Sequence, residues 1–422
     1  MNSRWIFLGI IFFAAVFGLW SVNSYGGSTS VDFGLSARLL AALTPLETRT
    51  PEELQARHRN GTLKILIVPG HDNQDSGTEF RDIREADLNL LLAKHLKEFL
   101  EQDPQIETIV TRNLVTGEYD PAFAKYFEEE ADLITAFITR MKGLMRGALR
   151  SGEVTEKTDG VGHNNAQSRV VKKLYGINKW ANENGVDIVL HIHFNDYGGR
   201  RYNSFGEYEG FSIYIPEGQF SGSRASKSVA VAVFYKLAKS FGISTLRGED
   251  RGVVEDQELI AVGANGSLDA AALLIEYGYI YEPQFVRQGI RDSMMRELAY
   301  QTYLGVEDYF GEDRGEASTT LLPYEWKNIL KKGMKGSRDT ISLQAALRAE
   351  GLFPPLGKTA PDCPLNGNFG ACTETAVRAF QEKYVEDILK PAGLTAGNGI
   401  LGPKTMAKLN VLYGTTPDFV RP

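Results

Sequence analysis

Cysteine, histidine and surplus positive charge are all scarce in this chain. Its 422 residues include two Cys and six His, and 46 Lys and Arg against 53 Asp and Glu leave a formal net charge of -7. Two cysteines exclude a disulfide framework and a metal site built from four cysteines. The missing basic surplus argues against nucleic acid as a main partner. Any metal must therefore be held mainly by His, Asp or Glu, and so few histidines can be weighed one by one. Proline is sparse as well, 16 against 43 Gly, and 43% of the residues are hydrophobic. That is the profile of an ordered globular protein, not of collagen, a coiled coil or a disordered chain. The length suggests two or three domains.

One long apolar run is present, from Trp5 to Val22, broken by Gly and a single Ser. As a helix it would extend about 27 Å, close to a bilayer's hydrocarbon thickness. It also exceeds the roughly 7–15 apolar residues of a signal-peptide core. Residues 1–24 therefore read as an export signal, either kept as a membrane anchor or cleaved after Ser24. The remaining chain is expected to work outside the cytoplasm, at the membrane if the helix is uncleaved. Residues 25–60 read as a polar tether with a short helix near residues 50–57.

From Lys64 the pattern alternates between strand and helix. Residues 63–68 form a short apolar run ending in Pro69 and Gly70, a buried strand and a turn. Residues 85–100 place Leu88, Leu91, Leu92, Leu96 and Phe99 on one helical face. Strands are expected at 107–111, 186–191, 210–215 and 271–275, and helices at 178–183, 226–241 and 287–310. Such alternation predicts an α/β fold, an open, mostly parallel twisted sheet with flanking helices. Residues 113–165 interrupt it as a helical insertion over the sheet edge, helical in pattern over 121–150. Residues 311–337 read as a linker on the Gly, Ser, Thr and Glu content of their first ten positions.

Three apolar runs end in residues able to hold a metal or move a proton, and open α/β sheets bind ligands beyond their carboxyl ends. The first leads to His71, the second to His191 and His193, the third to Glu276; Glu85 opens the helix after the first strand. Two histidines and a carboxylate form a zinc-hydrolase donor set with one position left for water. A second carboxylate would move the proton. Plainer readings exist for each. His71 can be an exposed turn residue, His191 and His193 a structural pair on one strand face, and Glu85 an ordinary first-turn carboxylate. Glu276 ends an apolar run, where a carboxylate is costly unless paired or functional. His58, His95 and His163 are assigned surface or structural roles, with His163 also a candidate to line the cleft.

At these residues the sequence resembles the zinc-dependent N-acetylmuramoyl-L-alanine amidases of the type-3 family. The likeness lies in Pro69-Gly70-His71, Asp75, Gly77, and Glu85 followed by Asp87-Leu88-Asn89-Leu90. It continues through Thr111-Arg112, Ala181-Asn182, His193-Phe194-Asn195, Arg251-Gly252 and Leu274-Ile275-Glu276-Tyr277-Gly278-Tyr279. The resemblance implies Zn2+ on His71, Glu85 and His193, with Glu276 as the catalytic carboxylate cutting the bond between N-acetylmuramic acid and L-alanine. His191, Asn195 and Arg251 are then candidate substrate contacts. Asp72-Asn73 replaces the family's Gly-Gly, His191 replaces its Ser, and a short His-to-Glu spacing makes Glu79 a fallback ligand. Some members carry a helix that occludes the metal until a partner removes it, so 121–150 is either such a lid, relieved by an activator protein, or a plain packing insertion. The alternatives in function are a zinc peptidase acting within the stem peptide and a non-catalytic peptidoglycan-binding protein.

Near the C-terminus, Gly367, Gly370 and Thr373 repeat as Gly399, Gly402 and Thr405, each turn opening a helix. Residues 338–412 resemble the small all-α, three-helix peptidoglycan-binding domain often fused to wall hydrolases, which implies peptidoglycan as the partner. Cys363 and Cys372 are expected to form a disulfide in this exported module.

Overall fold

The computed structural model describes residues 49–157, 166–311 and 319–415. The export segment at 1–24 and His163 lie outside these residues. Among them, no helix is long and apolar enough to cross a membrane.

The expected short helix near residue 50 is α1, Pro51–Asn60, started by a Thr50/Glu53 capping box. It is followed by β1 (Leu63–Pro69), a hairpin of β2 (Glu79–Phe80) and β3 (Ile83–Arg84), α2 (Glu85–Leu100) and β4 (Ile106–Val110). Next come α3 (Pro121–Glu129), α4 (Ala131–Ser151), α5 (Ser168–Glu183) and β5 (Ile188–Asn195). The α/β part closes with β6 (Ser212–Pro216), α6 (Ser223–Ala238), β7 (Val253–Asp256), β8 (Ala271–Tyr279) and α7 (Gln288–Phe310). The longest helices of the C-terminal region among the described residues are α8 (Arg338–Ala349), α9 (Ala371–Lys383) and α10 (Pro403–Tyr413).

The sheet order is β4-β1-β5-β8-β6-β7. The first four strands run parallel; β6 is antiparallel to β8 and parallel to β7. Alternating residues feed two cores, as the two-residue period of a strand requires. Ile65, Ile67, Leu190, Ile192, Leu273 and Ile275 pack with residues of α2, α6 and α7. Leu66, Val68, Val189, Ala272 and Leu274 pack with Ile177 and Ala181 of α5 and Phe123 of α3. Burial on both faces explains why these strands read as unbroken apolar runs.

The insertion is a pair of helices laid against α5. Phe123 packs at a tilt against Trp180, 4.6 Å between ring centroids, and Lys179 binds Glu130 and Glu183. Part of the expected linker is packed structure: Leu321, Trp326 and Leu330 are buried, and Leu330 bridges to Leu401. Cys363 and Cys372 are disulfide-bonded.

Candidate metal centre

Different elements bring each donor to one end of the sheet. The chain leaves β1 through Gly70 into His71, whose φ of 61° lies in the left-handed region that costs a non-glycine residue. The β2–β3 hairpin returns directly into α2, so Glu85 is that helix's first residue. The Glu85 backbone N–H donates to the Thr78 carbonyl at 3.0 Å and closes the loop. His193 sits on β5, in register with Glu276 on β8.

His71 Nε2 lies 3.1 Å from Glu85 Oε2, and His193 Nδ1 lies 2.9 Å from Glu85 Oε1. One donor atom from each residue falls within 4.8 Å of the others. Backbone N–H groups orient the carboxylate, Thr78 on Oε2 at 2.9 Å and Phe194 on Oε1 at 3.2 Å. Two glycines make room for the cluster. A Cβ at Gly70 would stand 2.2 Å from the His193 ring; at Gly77 it would stand 2.4 Å from Glu85 Oε2. The convergence of two nitrogens and an oxygen in a cradle that tolerates no extra carbon fits a divalent ion with an open position.

Burial opposes ionisation of Glu85, but His71 and His193 outweigh it and hold its carboxyl far below the usual range. Burial likewise opposes the charge on His71, and Glu85, with Asp75 and Asp72 behind it, raises its pKa nonetheless. Glu276 is the opposite case. Burial first, then the Glu85 and Glu249 carboxylates, push it well above the ordinary range. Its Oε2 is sealed from solvent and has no hydrogen-bond partner among the described residues.

His191 is brought to the strand but not to the cluster. It is fully buried, and burial together with His193 lowers its pKa to about 3. A side chain with no exposed face offers nothing for substrate to touch, which corrects its expected role as a contact. Asn195 is also engaged internally, donating to Glu249 at 2.9 Å and accepting from the Asp196 N–H at 2.8 Å. Arg251 is exposed just before β7, at the end of the sheet that holds Glu276, because β6 pairs with both strands there. Glu79, the fallback ligand, accepts from the Ser76 hydroxyl at 2.7 Å and stays outside the cluster. Asp72, standing where the family has Gly, accepts the Gln74 and Asp75 N–H groups and pairs with Lys173, which fixes the turn after His71. His58 and His95 pair with Asp103 and Asp292, away from the cluster.

One buried acid was not anticipated. Glu249 accepts from the hydroxyls of Tyr214, Ser244 and Tyr279 and from Asn195. Its neighbours Arg247, Gly248, Asp250 and Arg251 read as a polar surface loop, so no local signal marks it.

A mostly parallel sheet with this donor set at its carboxyl edge defines a class, hydrolases of α/β architecture with a candidate mononuclear metal centre. The family model for N-acetylmuramoyl-L-alanine amidase matches residues 65–308, so the chain belongs to that family and is a cell-wall amidase. A peptidoglycan binding domain matches residues 337–409, which makes peptidoglycan its partner and suggests action outside the cytoplasm. Among solved structures, the CwlD amidase from Clostridioides difficile in complex with the GerS lipoprotein is 16% identical, with a TM-score of 0.38, over 60% of this chain and 100% of that one. An N-acetylmuramoyl-L-alanine amidase from Clostridium difficile 630 is 20% identical, with a TM-score of 0.36, over 61% and 100%. The amidase AmiC2 of Nostoc punctiforme is 16% identical, with a TM-score of 0.37, over 60% and 98%. No curated protein matches the chain in sequence.

Proposed function

We propose that this amidase works with a zinc ion on His71, Glu85 and His193 and with Glu276 as its proton carrier. The observation that carries the reading is the three-donor cluster beside a buried carboxylate oxygen with no partner of its own. Zinc, when bound, supplies Lewis-acid polarisation of the scissile carbonyl and acidifies the attacking water. Glu276 takes the water's proton and passes it to the departing L-alanine nitrogen. Burial and the Glu85 and Glu249 carboxylates raise its affinity for a proton, which suits a group that must accept one from water. Exposed Arg251 is the candidate to meet a stem-peptide carboxylate.

The C-terminal domain holds the enzyme on the wall and raises the local substrate concentration. Residues 1–24 deliver the chain across the membrane and either anchor it or are removed. Digestion of purified peptidoglycan, with and without a chelator, tests the assignment by mass spectrometry of the soluble products. Chelator-sensitive release of stem peptides beginning with L-alanine is expected. Cuts inside the stem peptide, or release that survives chelation, would overturn it.

A further inference from the structure

Arg200 is a charged residue that the hydrolytic scheme leaves unused, yet its side chain is only 5% exposed. All five of its N–H groups have acceptors. Nε and Nη2 grip the two oxygens of Asp196 at 2.7 Å each. Nη2 also reaches the Glu79 carbonyl at 3.1 Å, and Nη1 reaches the carbonyls of Ser204 and Arg201 at 2.9 and 3.3 Å. The guanidinium lies over both the Phe80 and Tyr281 rings, 5.4 Å from each centroid. Arginine's planar fork suits this combination of stacking and bidentate pairing; lysine lacks both features.

Two of these partners, Glu79 and Phe80, form β2 of the hairpin that delivers Glu85. Asp196 lies just past β5, three residues after His193. The Arg200–Asp196 pair therefore joins the segment carrying one metal ligand to the hairpin carrying another. A single residue completes the path. The Thr78 hydroxyl donates to Asp196 Oδ2 at 2.6 Å, while the Thr78 N–H donates to Glu85 Oε2, the oxygen that faces His71. The hairpin needs external support, since its tip residue Arg81 has a left-handed φ of 58° and is held by the Asn203 side chain. Such strain persists only where surrounding contacts over-determine the backbone.

The geometry points to Arg200, Asp196 and Thr78 as a positioning chain that sets the orientation of Glu85 for metal binding. The inference rests on the three-ligand site proposed above. None of the three residues touches the metal position; they act through the Glu85 carboxylate. Partners of this kind typically carry a 10–100-fold effect on metal affinity.

The test is the zinc affinity of the full chain, measured by competition with a chromophoric chelator, alongside the visible absorption of the cobalt-loaded protein. Wild type is expected to bind one ion and His71→Ala none. Asp196→Asn and Arg200→Lys are expected to bind about 10–100-fold more weakly, with altered cobalt spectra. Thr78→Val keeps the backbone N–H but cuts the hydroxyl link, so adding Asp196→Asn to it should cost little more affinity. If Arg200→Lys fails to fold, Thr78→Val, Asp196→Asn and their double variant carry the test. Failure of wild type to bind metal would sink the site itself. Wild-type affinity and spectra in the folded variants, or fully additive losses in the double variant, would overturn the positioning chain while leaving the site intact.

Discussion

A carboxylate means different things at different depths in this molecule, and three of them separate cleanly. Glu85 is buried between two histidines and stays charged; Glu276, half-buried beside other acids, has its affinity for a proton raised. Glu276→Gln should therefore lower peptidoglycan hydrolysis by at least about 10²–10⁴-fold, the usual contribution of a general base, while zinc stoichiometry stays at wild type. Loss of zinc in that variant would make Glu276 a ligand instead. Glu282 is an acid held for structure. Burial raises it to about 7, although the N–H groups of Tyr279 and Gly210 pull the other way. A carboxyl with a raised folded pKa binds its proton more tightly folded than unfolded. Its stabilising effect is full below about 4.5 and fades as the pH climbs toward 7. Glu282→Gln keeps one oxygen for both N–H groups. It should melt above wild type at pH 8 and lose that advantage at pH 4; an equal shift at both would refute the assignment. The donors at strand ends were legible in the sequence because apolar runs stop at them. Glu249 and Arg200 were not, since each sits in a polar loop and is buried by residues distant in the chain.

Elements were legible in proportion to their length and their period. Helix α2 coincides with its expected span because its apolar face is regular and Glu85 and Asp87 favour its first turn. Strand β5 runs on to Asn195, past the expected end at residue 191, because the apolar run stops at the histidines while the pairing with β8 continues. Strands β2 and β3 have two residues each, too few for any period to show. The C-terminal repeat acquires a physical cause. Gln344 accepts from the Asn366 and Gly367 N–H groups and donates to Thr373; Gln381 accepts from Asn398 and Gly399 and donates to Thr405. One helix glutamine thus pins each glycine turn to the following helix. Removing it strands buried donors, which costs about 1–3 kcal/mol each. Gln381→Ala should destabilise the protein by about 2–4 kcal/mol in denaturant titration, and a loss below about 0.5 kcal/mol would show that the turn holds itself.

At the scale of the whole molecule, the catalytic and wall-binding halves share one apolar cluster that runs from Leu54 to Leu409. Residues 311–337 read as a linker because composition reports local polarity, whereas Trp326 is fixed by Asn410, far along the chain. The disulfide closes the segment that docks the two halves. Within it, the Leu365 N–H donates to the Ser240 carbonyl, and Asn368 accepts from Arg287 at the start of α7. Opening the Cys363–Cys372 bond should therefore weaken the docking surface as well as the C-terminal module. Chain entropy puts the loss at about 2–3 kcal/mol for a loop of this size. If the halves form one cooperative unit, calorimetry should show a single transition that shifts down as a whole when the disulfide is reduced. Thermal protection of the catalytic half by zinc should raise that same transition. Two transitions, with reduction moving one and zinc moving the other, would show that the shared core does not couple them, and that the wall-binding module stabilises only itself.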